Sequence, residues 1–499
     1  MKNIIKTFLL AGMVVMTGVS ITSCSLDPEQ SNYKDNEKEP IRNVDDLLAG
    51  LNGSYARMTS ALYYGRDIII FSEARSPYMY SDNRSGRFGN ISGFTITPGH
   101  AYAKETWEQI YKVISNTNRV IEADVADDAY VQYYKGQAYI IRALAHYDLL
   151  RLYGEQYVGK SGMTALGIPY KLSFRDIDEK ITRKTVKENS ESIFADLNLG
   201  IEMMRKSESE VKSQATQRAR ITLASAYGIK SRIALFFASF DSSKYDLVIE
   251  SAELAITKAK ERNISVMSRS GFLDAYKGDG IMSNSLFELT QFGTDNQYTN
   301  SLYNIYFKSP TEGYGDLVWN GGDKLSFFPE SEEGMLIDDI RSDIVGKDAM
   351  PTKTLRNLGK YTTRTSNIRM MRIEELMLNY IEATIKGASK GKTNVALDYL
   401  NEIVSQRVTL QEGNNSPVAK KYTTLDFEAY KVERQRELMF EGFGYEDVMR
   451  WKGEVTNPRI KANMNISKDK VEFGDVLTAF PIPQVEINVS KIEQNQAYK

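Results

Sequence analysis

The sequence predicts a mainly α-helical protein: tetratricopeptide-like helix pairs forming a scaffold, plus a loop-rich lobe with short strands. Three observations carry this. Apolar residues recur at three-to-four spacing in segment after segment. Small residues stand beside aromatic ones on the same helical faces (Ala224, Ala226, Ala234 and Ala238 in one segment, Ala252 and Ala255 in the next). Helical periodicity then fades between residues 262 and 367, where Gly, Asn, Asp, Ser and aromatics dominate. A helix pair that cannot bury its own face must stack on the next pair, which gives a curved scaffold.

The elements follow in order. Asn43 caps a helix from Val44 through Leu47, Leu48, Leu51 and Tyr55 to about Leu62, with Asp45 and Asp46 in its first turn. Residues 65–102 read as a long irregular segment punctuated by Gly65, Pro77, Gly86, Gly89, Gly93, Pro98 and Gly99, and a loop of that length is usually functional. Trp107, Ile110, Tyr111, Ile114, Asn118 and Ile121 mark the next helix. Tyr134–Tyr153, closed by Gly154, then Thr185–Met204, Ala219–Phe240 and Tyr245–Ala259 continue the pattern. Later helices are expected over Ile368–Lys386, Asn394–Arg407 and Thr424–Gly442, with a short strand at Leu286–Leu289 and an extended C-terminus near Pro481-Ile482-Pro483. The expected organisation is a leader over 1–23, a polar acidic tether over 24–42, a helical region over 43–261 and a second region over 262–499 that contains the loop-rich insertion 262–367.

Composition narrows function. The 499 residues carry 63 Lys and Arg against 65 Asp and Glu, a net charge of -2, which argues against a nucleic-acid binder. One cysteine excludes an intrachain disulfide and a Cys-based zinc site, and two histidines, His100 and His146, remove most His-dependent catalysis. No cofactor and no metal is expected. Thirty tyrosines suit surfaces that bind polar ligands, because each ring has a flat apolar face and a polar tip. Lys2 and Lys6 precede an apolar stretch from Thr7 to Ile21, of signal-peptide rather than membrane-spanning length. It ends in Ile21-Thr22-Ser23-Cys24, which resembles a bacterial lipobox, so Cys24 is the expected lipidation site. Ser25-Leu26-Asp27-Pro28-Glu29 behind it resembles the acidic export signal of surface lipoproteins in Bacteroides-like bacteria.

Two motif matches fail on inspection. Gly387-Ala388-Ser389-Lys390-Gly391 fits the G-x-S-x-G pattern, but a helix rather than a strand precedes it and no His follows. With Lys392-Thr393 it also falls one residue short of a phosphate-binding loop, so a tight helix–helix connection is expected. Glu433, Glu437 and Glu441 share one helix face at i, i+4, i+8. Arg434, Arg436 and Arg450 lie close in sequence, so an ion-pair network is expected there rather than an acid–base or metal site. His146 is expected to be a packed, hydrogen-bonded residue.

Several ordered stretches resemble one family, the SusD/RagB outer-membrane nutrient-binding lipoproteins. Trp107-Glu108-Gln109-Ile110-Tyr111 with Asn116 and Asn118 is similar to its first marker, and Arg142-Ala143-Leu144-Ala145-His146-Tyr147-Asp148-Leu149-Leu150 with Leu152-Tyr153-Gly154 to its second. Gly167-Ile168-Pro169-Tyr170, Arg372-Ile373-Glu374-Glu375-Leu376-Met377-Leu378 with Glu382-Ala383, and Leu400-Asn401-Glu402-Ile403 with Arg407 follow in family order. The most specific stretch is Glu433-Arg434, Glu437-Leu438, Phe440-Glu441-Gly442, Asp447 and Arg450-Trp451, and the terminal pattern recurs as Pro481-Ile482-Pro483, Glu486-Ile487, Gln494-Asn495 and Tyr498. The chain departs from the family at Val404, Gly444 and Asn488-Val489. The resemblance implies a SusD-like fold and a non-catalytic role at the cell exterior. Such a protein is lipid-anchored in the outer membrane, captures oligosaccharides, and passes them to a SusC-like TonB-dependent transporter. Some branches take peptides instead; a surface hydrolase and a pure scaffold are the remaining alternatives.

Ligand residues are sought where aromatics and polar groups share irregular segments. Trp107 and Trp451 belong to helical motifs and are expected to pack; Trp319 lies in an irregular segment and is expected to be exposed as a sugar platform. The 298–323 stretch adds Tyr298, Tyr314, Asn320 and Asp323, and the 65–100 loop adds Tyr78, Tyr80, Asp82, Asn83 and Arg84. The two loops are expected to converge on one side of the helical scaffold.

Overall fold

The computed structural model describes residues 40–174, 181–294, 296–320, 324–456 and 466–499, and Ile41–Lys499 form one compact unit. The sequence-predicted leader, Cys24 and the tether as far as residue 39 lie outside the described residues; at the tether's expected end, Ile41 is buried against the core and the Arg42 N–H donates to Asp46.

Helices dominate and pack on their neighbours in a chain. Val44–Met58 packs on Ala101–Glu122, which packs on Ala129–Tyr153, which packs on Val186–Ser207. Leu223–Ala238 packs on Tyr245–Lys260, which packs on Ile373–Ile385, itself against Thr393–Ser405. The buried stripes are those that the spacing predicts: Leu47, Leu51, Tyr55 and Met58 on the first helix; Trp107, Ile110 and Ile114 on the next. Caps fix the starts. Asn43 accepts from the Asp46 N–H, Asp128 from Val131, and Thr185 forms a reciprocal capping box with Glu188. Gly136 and Gly200 face each other where two long helices approach closest. A Cβ on Gly136 would sit 2.8 Å from the Gly200 carbonyl oxygen, and one on Gly200 2.6 Å from that of Gly136, so only glycine admits this crossing.

Several elements depart from the sequence prediction. Within the stretch expected to be irregular, Asp67–Glu73 is a helix with every residue buried. Its Ile68-Ile69-Ile70-Phe71 run is apolar all round, which an amphipathic pattern does not reveal. Ile368–Arg372, expected to begin a helix, is instead a strand paired with Ser285–Leu289, and its five residues are all buried. The C-terminus, expected to be extended, carries a helix at Gln484–Ser490. The remaining strands are short. Val418–Ala419, Val408–Glu412, Met335–Asp339 and Ser331–Glu332 form a four-stranded antiparallel sheet, and Met79–Ser81 pairs antiparallel with Leu317–Trp319. Among the described residues, no helix is long and apolar enough to cross a membrane.

The failed motif at 387–391 is the expected connection, lying between Ile373–Ile385 and Thr393–Ser405. The carboxylate row is the expected ion-pair network, but its main partners come from far along the chain. Glu433 meets Arg341 at 2.7 Å, Glu437 meets Arg407 at 3.0 Å and Arg372 at 3.1 Å, and Glu441 meets Lys360 at 2.6 Å and Arg372 at 2.9 Å. Of the nearby arginines, Arg434 pairs with Asp447 at 2.7 Å and Arg450 bonds Glu382 and Asp447, while Arg436 reaches Glu433 only at 3.8 Å. All of these groups but Arg436 are buried.

His146 is packed as expected. Its ring stacks on Tyr170 with centroids 3.7 Å apart; Nδ1 lies 2.9 Å from the Arg142 carbonyl oxygen, and Nε2 accepts from the Lys171 N–H at 3.0 Å. That pattern requires the neutral ring with its proton on Nδ1. Burial pushes the His146 pKa down to about 3. The unfolded chain titrates near 6.5, so the stability supplied by the neutral ring is present above that pH and lost as pH falls toward 3. Over pH 6.5 to 5 the loss amounts to about 2 kcal/mol. Glu73, pushed up to about 7 by burial, acts in the opposite sense over the same window. The measurement is therefore the difference between two pH–stability profiles. Wild type should fall relative to His146→Gln by about 2 kcal/mol from pH 6.5 to 5; parallel profiles would show that His146 does not titrate with folding.

Candidate ligand-binding face

Two loops meet on one side of the scaffold, as the sequence suggests, and the meeting point is built from strand pairing and one arginine. Met79 stands opposite Trp319 and Ser81 opposite Leu317, which aligns the segment after Ser81 with the segment before Leu317. The Ser81–Arg87 turn closes on itself: the Ser81 hydroxyl donates to the Arg87 carbonyl at 2.7 Å and accepts from the Asn83 N–H at 3.1 Å. Asn83 has φ 56°, and asparagine tolerates this left-handed region better than most residues.

Arg87 then crosses to the second loop. Its Nη2 lies 2.7 Å from Asp316 Oδ2, its Nη1 donates to Asn300 Oδ1 at 3.3 Å, and its guanidinium sits 4.0 Å over the Tyr314 ring. Ser85 donates to the other Asp316 oxygen, and Arg66 donates to Asn300 Oδ1 at 2.7 Å from below. Burial raises the Asp316 pKa, and Arg87 opposes that rise. Asn304 ties the second loop together: its amide donates to the Tyr298 carbonyl at 2.6 Å and its own carbonyl accepts from the Tyr314 N–H at 2.8 Å. Gly313, at φ 77°, makes the return to Tyr314 possible; a Cβ there would strike the Phe307 backbone.

On this frame Tyr298 is 58% exposed and Tyr314 44% exposed. Phe292, 62% exposed, belongs to the same loop, which Asn296 closes by donating to the Gly293 carbonyl and accepting from the Tyr298 N–H. Phe292 was legible only as part of an aromatic-rich stretch, Gln291-Phe292-Gly293, with no signal to separate it from its neighbours.

The other candidates fall into three groups. Arg84 is exposed and pairs with Asp82 at 3.3 Å; Tyr80, Asp82 and Asn83 are half-buried on the first loop. Asp323 lies outside the described residues. Trp319, Tyr78 and Asn320 are corrections: they are 1%, 2% and 6% exposed, not an open platform. Trp319 sits at the end of the Leu317–Trp319 strand and packs on Tyr78, Phe327 and Phe440, so strand pairing turns it inward. Tyr78 and Trp319 therefore form the floor beneath the two loops.

A concavity of about 420 Å³ lies against the four-stranded sheet between Phe328, Pro329, Leu336 and Pro417. Its one aromatic side chain, Phe328, is buried, so it offers no open ring.

The comparisons agree with this fold. A family model described as starch-binding associating with outer membrane matches residues 35–235, and the SusD family model matches residues 290–498. A SusD-like protein, P2, of Formosa agariphila is 28% identical over 190 residues, 36% of this chain and 35% of that protein, so the chain aligns with about a third of that relative's length. A SusD superfamily protein from Bacteroides thetaiotaomicron superposes with TM-score 0.76 at 23% identity, covering 91% of this chain and 99% of that one. Surface glycan-binding protein A from Bacteroides fluxus superposes with TM-score 0.68 at 19% identity, covering 91% and 99%. This chain belongs to the SusD/RagB family, and its mainly α body with short strands is the SusD-like fold.

Proposed function

We propose that this protein is a lipid-anchored outer-membrane protein facing the cell exterior, which captures oligosaccharides and delivers them to a SusC-like TonB-dependent transporter. The observation that carries the binding part is the pair of exposed tyrosines, Tyr298 and Tyr314, both held on the second loop, which Arg87 braces to the first above a buried aromatic floor. A pyranose has one apolar face and a rim of hydroxyls. An exposed ring with amides and hydroxyls around it, here Asn83, Ser85, Asn296 and Asn300, matches both. Preformed loops also lower the ordering cost on binding. The family's outer-membrane association and the glycan-binding name of the Bacteroides fluxus neighbour support the same reading. No catalysed reaction is part of the proposal, since the aligned carboxylates Glu433, Glu437 and Glu441 are held by Arg341, Arg407, Arg372 and Lys360.

An aromatic contact contributes about 0.5–1.5 kcal/mol beyond the area it buries. Buried ring area adds about 1–2 kcal/mol. Tyr314→Ala and Tyr298→Ala should each weaken glycan binding on the order of tenfold, read by calorimetric titration with a glycan identified on an array. Stability should change little, because both rings are exposed. Unchanged affinity in both variants would move the binding face elsewhere; binding of peptides with no glycan binding would favour the peptide-binding branch of the family.

Anchoring at Cys24 rests on the lipobox-like tetrad. Cys24→Ala should shift the protein from the membrane to the soluble fraction in cells lacking the transporter. Continued membrane fractionation there would refute the anchor.

A further inference from the structure

Resting on the carbohydrate reading above, we infer that the Tyr298/Tyr314 face takes uncharged oligosaccharides and excludes uronate- or sulfate-bearing ones. Each arginine around the two rings already has a carboxylate partner. Arg84 pairs with Asp82 at 3.3 Å, Arg87 with Asp316 at 2.7 Å, and Arg364 with Glu312 at 2.7 Å. Behind them Arg66 pairs with Asp67 at 2.7 Å and Arg356 with Asp348 at 2.7 Å. The one lysine in the second loop, Lys308, donates to the Gly313 carbonyl at 3.3 Å. Among the described residues, then, the cations of this face are engaged before a ligand arrives.

An anionic sugar could pair with one of these arginines only by displacing its carboxylate. At Arg87 that displacement is prohibitive: Asp316 is fully buried, so it would be left as an unpaired interior charge, and the guanidinium would also leave the Tyr314 ring. At Arg84, in solvent, the cost is smaller, but a sugar carboxylate would compete with Asp82 at close range, and like charges repel. Among the described residues, the uncharged polar groups beside the rings are Ser85, Thr299, and the half-buried amides of Asn83, Asn296 and Asn300, several of which already make one internal bond and keep capacity for another. Amides and hydroxyls recognise sugar hydroxyls without needing charge.

The test uses the mature protein on a glycan array that carries neutral and acidic plant, algal, host and microbial glycans, followed by native gels containing the hits. Binding confined to neutral glycans, and unaffected by added sodium chloride, is expected. Binding to acidic glycans that weakens with salt, with no neutral hit, overturns the charge inference while leaving the carbohydrate reading intact. Binding to nothing on the array overturns the carbohydrate reading and the inference with it. A second arm frees one cation: Asp82→Asn leaves Arg84 unpaired and should acquire salt-sensitive retention on polygalacturonate that wild type lacks. No gain in that variant would overturn carboxylate pairing as the cause of exclusion.

Discussion

Glu437→Ala should destabilise the protein more than any surface change, by about 5 kcal/mol, and leave little folded material at elevated temperature. Glu437 is the centre of the buried carboxylate row. Its two oxygens meet Arg407 at 3.0 and 3.1 Å and Arg372 at 3.1 Å, with Arg341 at 3.7 Å, and all four side chains are fully buried or nearly so. Burial alone would raise its pKa; Arg407, Arg372 and Arg341 more than offset this and hold the carboxyl well below the ordinary range. Removing one partner from a buried pair costs about 3–5 kcal/mol, because the other charge stays behind unsolvated. Here several arginines lose an acceptor at once, though Arg407 and Arg372 keep Glu374, and Arg341 keeps Asp339 and Glu433. Those remaining partners cap the loss near the upper end of the range. Chemical denaturation of wild type and variant gives the difference; a change under about 1 kcal/mol would mean that the row behaves as a solvated surface network.

The row was visible in the sequence and its partners were not. Spacing of four residues puts Glu433, Glu437 and Glu441 on one helix face whatever the tertiary structure. Which cations answer them depends on chain folding, and sequence neighbours are a poor guide. Arg434 and Arg450 are turned toward Asp447 and Glu382, while Arg341, Arg372 and Arg407 arrive from a 3-10 turn, a strand end and a helix end elsewhere. The same contrast separates legible helices from illegible ones. Trp107, Ile110 and Ile114 repeat at helical spacing because one face meets the core and the other water. Asp67–Glu73 is buried on all sides, so it carries no such contrast, and Ile368–Arg372 hides its strand character in the same way.

For the proposed binding face, the sequence singled out the two loops but could not say which aromatic rings look outward. Tyr298, Tyr314 and Trp319 are chemically alike as candidates: each lies among glycines, asparagines or aspartates. Their fates differ because Leu317–Trp319 pairs with Met79–Ser81, a contact between distant segments that no local pattern announces. The bracing residues Arg87, Asn300 and Asp316 were equally invisible, since each acts through a partner on another part of the chain.

That difference yields the second large expected effect. Trp319→Ala should cost about 3–5 kcal/mol of stability, the range for a buried Trp or Phe cut to Ala. The ring is 1% exposed, stacked on Tyr78 at 6.1 Å and edge-on to Phe327 at 5.4 Å, so its removal opens a cavity under both loops. Trp319→Phe should cost much less. Among the described residues the indole Nε1 has no hydrogen-bond partner, and an unmet buried donor costs about 1–3 kcal/mol. Deleting it offsets much of the packing that the smaller ring gives up. Glycan affinity in Trp319→Ala should fall less than in Tyr314→Ala when measured well below its melting temperature, because Trp319 supports the face without touching the ligand. The two substitutions should thus give crossed results: Trp319→Ala loses stability and keeps most of its affinity, while Tyr314→Ala loses affinity and keeps its stability. A Trp319→Ala protein that melts like wild type but no longer binds glycan would place the indole in the ligand site and overturn its role as floor.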